Sequence, residues 1–169
     1  TDIHNAYPSV RGERLAEILC SLDDRLKEHT EEVLAFLKQF FLSPQGGLLI
    51  GAPASPDLFN LYAACELDEK LHVLCLKHHL TYTRYLDDLT FSSPRNKIGK
   101  RKRREIRTII ESAGFRVQHE KSQVLDIKKG PVVINGIGLE LGGRIFLPRH
   151  FLRKINGLLH RSQTKNNIS

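Results

Sequence analysis

With 169 residues the chain is one domain's worth, large enough to bury a proper core. Its 40% hydrophobic and 27% charged composition is ordinary for a soluble globular protein. No run approaches the roughly 18 apolar residues of a membrane span, and nothing resembles a signal peptide.

Charge is unevenly spread. Residues 1–94 carry 8 Lys/Arg against 14 Asp/Glu, and residues 95–169 carry 18 against 5, so −6 is followed by +13 within a net +7. An acidic part followed by a basic one suits a polyanionic substrate that also needs cations at its reactive phosphate. Cys20, Cys65 and Cys75 show no C-x-x-C spacing, and the histidines do not cluster with them. That argues against structural zinc and for buried free thiols in a reducing cytoplasm. The chain holds no methionine and starts on a strand-like segment, which reads as a portion of a longer polypeptide.

Thr1 to Ala6 reads as a short strand. From Gly12 to Glu28, Leu15, Ile18, Leu19, Leu22 and Leu26 fall on one helical face. Thr30, followed by Glu31 and Glu32, reads as an N-cap opening a second helix with Val33, Leu34, Leu37, Phe40 and Phe41 inward. Ser43 to Ala54 is a Gly/Pro-rich loop. Ser55-Pro56 starts a helix running to about His78, with the hydroxyl at N-cap and the proline at N1. Leu80–Arg84 and Leu89–Ser92 then alternate around Tyr85-Leu86-Asp87-Asp88, a β-hairpin with two adjacent carboxylates at its tip.

A basic helix over about 98–113 stops at Gly114, a C′ residue. Phe115–Val117, Val124–Ile127, Val132–Leu141 and Ile145–Leu147 read as strands, with turns at Lys129-Gly130 and Gly142-Gly143. Phe151, Leu152, Ile155, Leu158 and Leu159 mark a final amphipathic helix. The order predicts an α+β domain, an antiparallel sheet with helices packed on one face.

Two aspartates side by side on a tight turn repel each other unless a cation is shared between them. Asp2, in the first strand, is a third acid. Three aspartates at the ends of neighbouring strands can hold two Mg²⁺ about 3.5–4 Å apart, the geometry of in-line phosphoryl transfer. Hard divalent cations take oxygen ligands, which carboxylates supply. Alone, an Asp-Asp pair is more often a solvated turn, so the flanking segments decide. Seven basic residues between Arg95 and Arg104, with no acid among them, read equally as a solvated helix face or as phosphate contacts. His4 and His78-His79 read as surface or satisfied core residues rather than ligands.

These segments together resemble the palm of a reverse transcriptase, most closely the bacterial retron-like group. Thr1-Asp2-Ile3-His4-Asn5-Ala6-Tyr7-Pro8-Ser9-Val10 is similar to the family's first catalytic motif. Ile50-Gly51-Ala52-Pro53-Ala54-Ser55-Pro56 is similar to its template-positioning motif. Tyr82 to Ser92, around Tyr85-Leu86-Asp87-Asp88, is similar to the retron catalytic hairpin. Gly114–Val117 through Lys121-Ser122 resembles the next motif, and Asn135-Gly136-Ile137-Gly138-Leu139 resembles the primer-gripping hairpin. The match is collinear over nearly the whole chain. Two departures stand out. Ile50 occupies the place the family usually gives to Gln, because Gln45-Gly46 lies at the wrong offset from Ser55. Ile134-Asn135-Gly136 replaces the retron Val-Thr-Gly.

The resemblance implies an RNA-directed DNA polymerase that adds dNTPs to a primer 3′-hydroxyl with two Mg²⁺, or Mn²⁺ in their place. Asp2 and Asp87 would bind both metals, Asp88 would assist, and the Ile3 carbonyl would be a further ligand. Tyr7 would lie under the incoming sugar and exclude a 2′-hydroxyl, which disfavours an RNA polymerase. Ile50 and Gly51 would face the nucleotide, and Lys121 would neutralise or protonate the leaving pyrophosphate. Gly136, Ile137 and Gly138 would grip the primer, and Ser55, Arg101, Arg103 and Arg104 would contact nucleic acid. Substitutions like Ile50 occur in diversity-generating members, where they go with loose base selection.

A palm is expected over 1–148, holding a helical insertion (about 12–42), the basic helix and a primer-grip hairpin (about 132–147). A thumb would start over 149–169, with the fingers absent from this chain. Expected partners are an RNA template, a DNA or RNA primer, dNTPs, and an effector protein or the missing fingers and thumb regions. No membrane is expected among them. Rival readings are template-independent DNA synthesis in a phage-defence system and a catalytically idle RNA-binding palm-like module. The three intact aspartates weigh against the second.

Overall fold

A computed structural model describes residues 1–94, 97–118 and 122–166 of the chain. It divides into two compact units, Thr1–Gln123 and Val124–Ser169. In the first, β1 (Asp2–His4) leads through a 3₁₀ turn (Tyr7–Ser9) to α1 (Gly12–Leu22) and α2 (Thr30–Phe40). Next come α3 (Ser55–Ala63), a π-helical turn (Ala64–Asp68) and α4 (Glu69–His78), then the hairpin β2 (Thr81–Tyr85) and β3 (Asp88–Ser92). The unit closes with α5 (Lys100–Ser112) and β4 (Arg116–Gln118). The sheet order is β2-β3-β1-β4, with every neighbouring pair antiparallel. Helices with an antiparallel sheet make this the α+β class that the sequence implies.

Alternation along the strands sets which side faces the core. In β1 only Ile3 is buried, between half-buried Asp2 and exposed His4, and in β3 Leu89 is fully buried. Beneath them lie Leu15, Leu37, Leu67, Leu71 and Ile110, with Phe115 meeting Phe59 and Tyr62 edge-on at 6.0 and 5.9 Å. Tyr82 and Phe91, directly paired across the hairpin, stack at 5.1 Å.

Several boundaries differ from expectation for local reasons. The first helix stops at Leu22, which is exposed, because the Asp23 carboxylate accepts the Arg25 N–H and starts a 3₁₀ turn. Thr30 is the first helical residue of α2, not its cap; His29 holds that position without a side-chain bond to the helix backbone. Ser55 likewise opens α3 from inside, and Ala54 is the cap. The helix to His78 is interrupted by the π turn, which no proline or glycine announces. Residues Val124–Asp126 form no strand; they lead into a 3₁₀ turn that the Asp126 carboxylate opens by accepting the Lys128 N–H. Cys20 and Cys75 are buried free thiols as expected, but Cys65 is exposed on the π turn. Gly114 does end α5, at φ +87°.

In the second unit β5 (Val132–Ile134), β6 (Ile137–Leu139) and β7 (Ile145–Phe146) form an antiparallel sheet in chain order, followed by α6 (Arg149–Asn166). The expected single strand 132–141 is folded over at Asn135-Gly136, whose φ values are +49° and +78°. Asn-Gly is the pair that a two-residue hairpin of this hand demands. Among the described residues no helix is long and apolar enough to cross a membrane.

The loop 43–54 is seated against the first motif. The Leu48 N–H donates to the Tyr7 carbonyl at 2.9 Å. Beside it Gly47 stands at φ +75°, where an added Cβ would lie 2.4 Å from the Pro8 carbonyl oxygen. Gly47→Ala therefore meets both a left-handed backbone and a clash. A loss of roughly 2–5 kcal/mol is expected in a denaturant titration; an unchanged midpoint would contradict the close approach.

Candidate catalytic site

The site is organised by the register of β1 on β3. Thr1 and Leu89 exchange two backbone hydrogen bonds, Leu89 N–H to Thr1 O at 2.7 Å and the Thr1 nitrogen to Leu89 O at 2.8 Å. Two residues on, the Ile3 N–H donates to Asp87 O at 2.9 Å. Between these bonded positions Asp2 and Asp88 stand directly opposite. Such a non-hydrogen-bonded pair brings facing residues closest, with Cα atoms about 4.5 Å apart, and sends both side chains to the same face. Here that is the face away from buried Ile3 and Leu89.

Asp87 precedes Asp88 in the two-residue turn between Tyr85 and Asp88, where Leu86 has φ +52°. The Thr1 backbone nitrogen lies 3.5 Å from Asp88 Oδ1. The expected three-carboxylate cage is nonetheless incomplete: among the described residues no three His, Cys, Asp or Glu side chains are gathered to hold a metal. The donor set still fits Mg²⁺, which usually takes one or two carboxylates and completes its shell with water and substrate phosphates.

Tyr7 reaches the same neighbourhood. Asn5, at φ +49°, turns the chain out of β1 into the 3₁₀ turn that carries the tyrosine. Its half-buried ring sits 5.4 Å from that of Phe59. Burial, and then the negative charge of Asp87, push the phenol above its ordinary range.

The other expected residues separate into groups. Ile50 is 78% exposed, and Gly51 follows at φ +86° with open space around it. Ser55 is the exception. It is only 1% exposed, and its hydroxyl donates to Leu49 O at 2.6 Å, so it braces the loop from inside rather than presenting itself to nucleic acid. Arg101, Arg103 and Arg104 are exposed on α5. Lys121 lies outside the described residues. In the second unit Gly136 is the second turn residue of the β5–β6 hairpin, and Ile137 and Gly138 begin β6.

Arg84 and Asp68 are participants that motif reading passes over. Arg84 Nη2 donates to Asp68 Oδ2 at 2.7 Å, and its Nη1 to the Leu86 carbonyl at 3.1 Å. Their signal was the alternation along β2, which puts Tyr82 and Arg84 on the inner face.

The family described as Reverse transcriptase (RNA-dependent DNA polymerase) matches residues 1–139. The chain belongs to the reverse transcriptase family. It is similar to the Retron Mx162 reverse transcriptase of Myxococcus xanthus, 30% identical over 191 residues that cover 94% of this chain and 38% of that protein. It is also similar to the Retron Ec73 reverse transcriptase of Escherichia coli, 27% identical over 175 residues, 99% of this chain and 54% of the relative. The Retron Ec86 reverse transcriptase of Escherichia coli is 31% identical over 122 residues, 72% of this chain and 36% of the relative. The retron-like resemblance read from the motifs is thereby borne out. The chain spans about half or less of the length of these relatives. Reverse transcriptases use divalent metal ions, and the oxygen donors at the β1–β3 register fit such ions.

Proposed function

We propose that this chain is the palm, with the first turns of a thumb, of an RNA-directed DNA polymerase that extends a primer with dNTPs. The observation that carries the reading is the pairing of Asp2 with Asp88 beside Asp87. Clustered carboxylates on a strand end repel one another, and a polyphosphate substrate brings the cations that relieve them. Asp2 and Asp87 would hold two Mg²⁺ with help from Asp88 and the Ile3 carbonyl, supplying charge neutralisation at the attacking hydroxyl and the leaving pyrophosphate.

The protein's own groups then orient the reactants. Tyr7, backed by Phe59, forms a rigid floor beside Asp87 on which a deoxyribose fits and a 2′-hydroxyl clashes. Ile50 and Gly51 offer an exposed apolar edge and a flat backbone to the nucleotide base. Exposed Arg101, Arg103 and Arg104 attract the nucleic-acid backbone, which makes binding salt-dependent. Gly136, Ile137 and Gly138 would grip the primer, and Lys121 would serve the leaving group. The palm would span 1–148 and the thumb would start at 149.

In a protein that carries fingers and thumb as well, Asp87→Asn is expected to lower dNTP incorporation by about 10²–10³-fold or more. Affinity for primer–template should stay within about threefold, since charge at the reacting phosphates is lost and not the binding groove. Retained incorporation would overturn the reading. Sequencing of the products distinguishes templated from untemplated synthesis.

Tyr7→Val is expected to raise ribonucleotide use relative to deoxyribonucleotide use by roughly tenfold or more, since a ring that excludes one hydroxyl is gone; unchanged selectivity would remove the sugar-floor role. Ile50→Gln is expected to lower the misincorporation rate. Equal error rates would remove Ile50 from base selection.

A further inference from the structure

We infer that Arg84 is a positioning residue that holds the Leu86–Asp88 turn in register with Asp2, through a clamp formed with Asp68 and Asn60. The inference deepens the polymerase reading and rests on it for its kinetic consequence. Leu86 is the starting observation. A bulky non-glycine residue at φ +52° is strained, and such strain persists only where the surroundings over-determine it. Here it sits immediately before the acidic pair.

The surroundings are specific. Arg84 Nε donates to Asp68 Oδ1 at 2.9 Å and Nη2 to Asp68 Oδ2 at 2.7 Å, a two-pronged grip on one carboxylate. Nη1 donates to Asn60 Oδ1 at 2.7 Å and to Leu86 O at 3.1 Å, and Nη2 also reaches Asn60 O at 3.4 Å. All five N–H groups of the guanidinium thus have partners, and its carbon stands 5.8 Å over the Phe59 ring. The side chain is 9% exposed, so few water molecules compete for these donors.

Asp68 is in turn fixed by the Tyr82 hydroxyl at 2.7 Å, and it ends the π-helical turn, a helix irregularity often found at functional sites. The same turn is tied to α1, where Arg14 Nε donates to Glu66 Oε1 at 2.7 Å.

The target of the clamp separates it from ordinary packing. The Leu86 carbonyl belongs to the peptide unit before Asp87, and Arg84 holds it. The Asp87 carbonyl belongs to the next unit, and the Ile3 N–H holds that one at 2.9 Å. With both flanking peptide planes fixed, the direction in which Asp87 leaves the backbone is fixed too. Phe59 carries the arrangement further, since the ring under Arg84 also backs Tyr7. Lysine cannot replace this arginine, because it lacks the planar fork.

Arg84→Lys and Asp68→Asn, made in a protein with fingers and thumb, test the inference by backbone amide exchange and by steady-state kinetics. Arg84→Lys should speed exchange at residues 86–88 about tenfold or more while the α5 amides stay slow. It should lower kcat for dNTP addition by about 10–10²-fold, with KM for primer–template within about threefold, as expected for reacting groups moved by an ångström or less. Asp68→Asn, which keeps shape and loses charge, should shift both readouts the same way by a smaller factor.

Wild-type exchange at the turn in both variants would overturn the clamp, and so would an unchanged kcat with a loosened turn. If Arg84→Lys also frees the α5 amides, Asp68→Asn decides by the same readouts. If the wild-type protein incorporates no nucleotide, the polymerase reading falls, while turn exchange still decides the clamp.

Discussion

The antiparallel register of β1 on β3 is the constraint on which the rest depends. It sets two negative side chains directly opposite each other, an arrangement that is unfavourable by up to about 1 kcal/mol when no cation is present. The same register buries Ile3 and Leu89 on the other face, each contributing roughly 1.5–3 kcal/mol. Burial therefore outweighs repulsion. A slip of β1 by one residue would turn that strand over, exposing Ile3 and sinking Asp2. The fold thus holds the acids together with energy drawn from the core beneath them.

Around that pair the structure adds rigidity in layers. The loop 43–54 leans on Tyr7-Pro8 through Leu48 and Gly47. Phe59 backs Tyr7 from below, and the hairpin turn is tied to α3 and the π turn by Arg84. Chemistry on a phosphate needs little covalent participation from the protein and much accurate placement. A small strained turn, bound on both sides, suits that need better than a flexible acidic loop.

Much of this was legible in the residues. Alternation around Tyr85-Leu86-Asp87-Asp88 gave the hairpin, and Gly114 gave the end of α5, because both signals are local. The missed features fall into two kinds. Asn135-Gly136 was a readable turn signal, hidden because β-branched residues on either side suggested one continuous strand. The π turn, the inward hydroxyl of Ser55 and the clamp of Arg84 on Asp68 depend on tertiary partners and leave no periodicity of their own. The separation of the chain after Gln123 also escaped composition, because charge changes near residue 95, within the first unit.

The most direct test of the central claim is Mn²⁺ binding, followed by electron paramagnetic resonance without nucleotide or primer. If the β1–β3 register builds the cation site, Asp2→Asn should weaken Mn²⁺ binding by about tenfold or more. Wild-type Mn²⁺ affinity in that variant would show that Asp2 does not share a site with Asp87 and Asp88, and the account would fail.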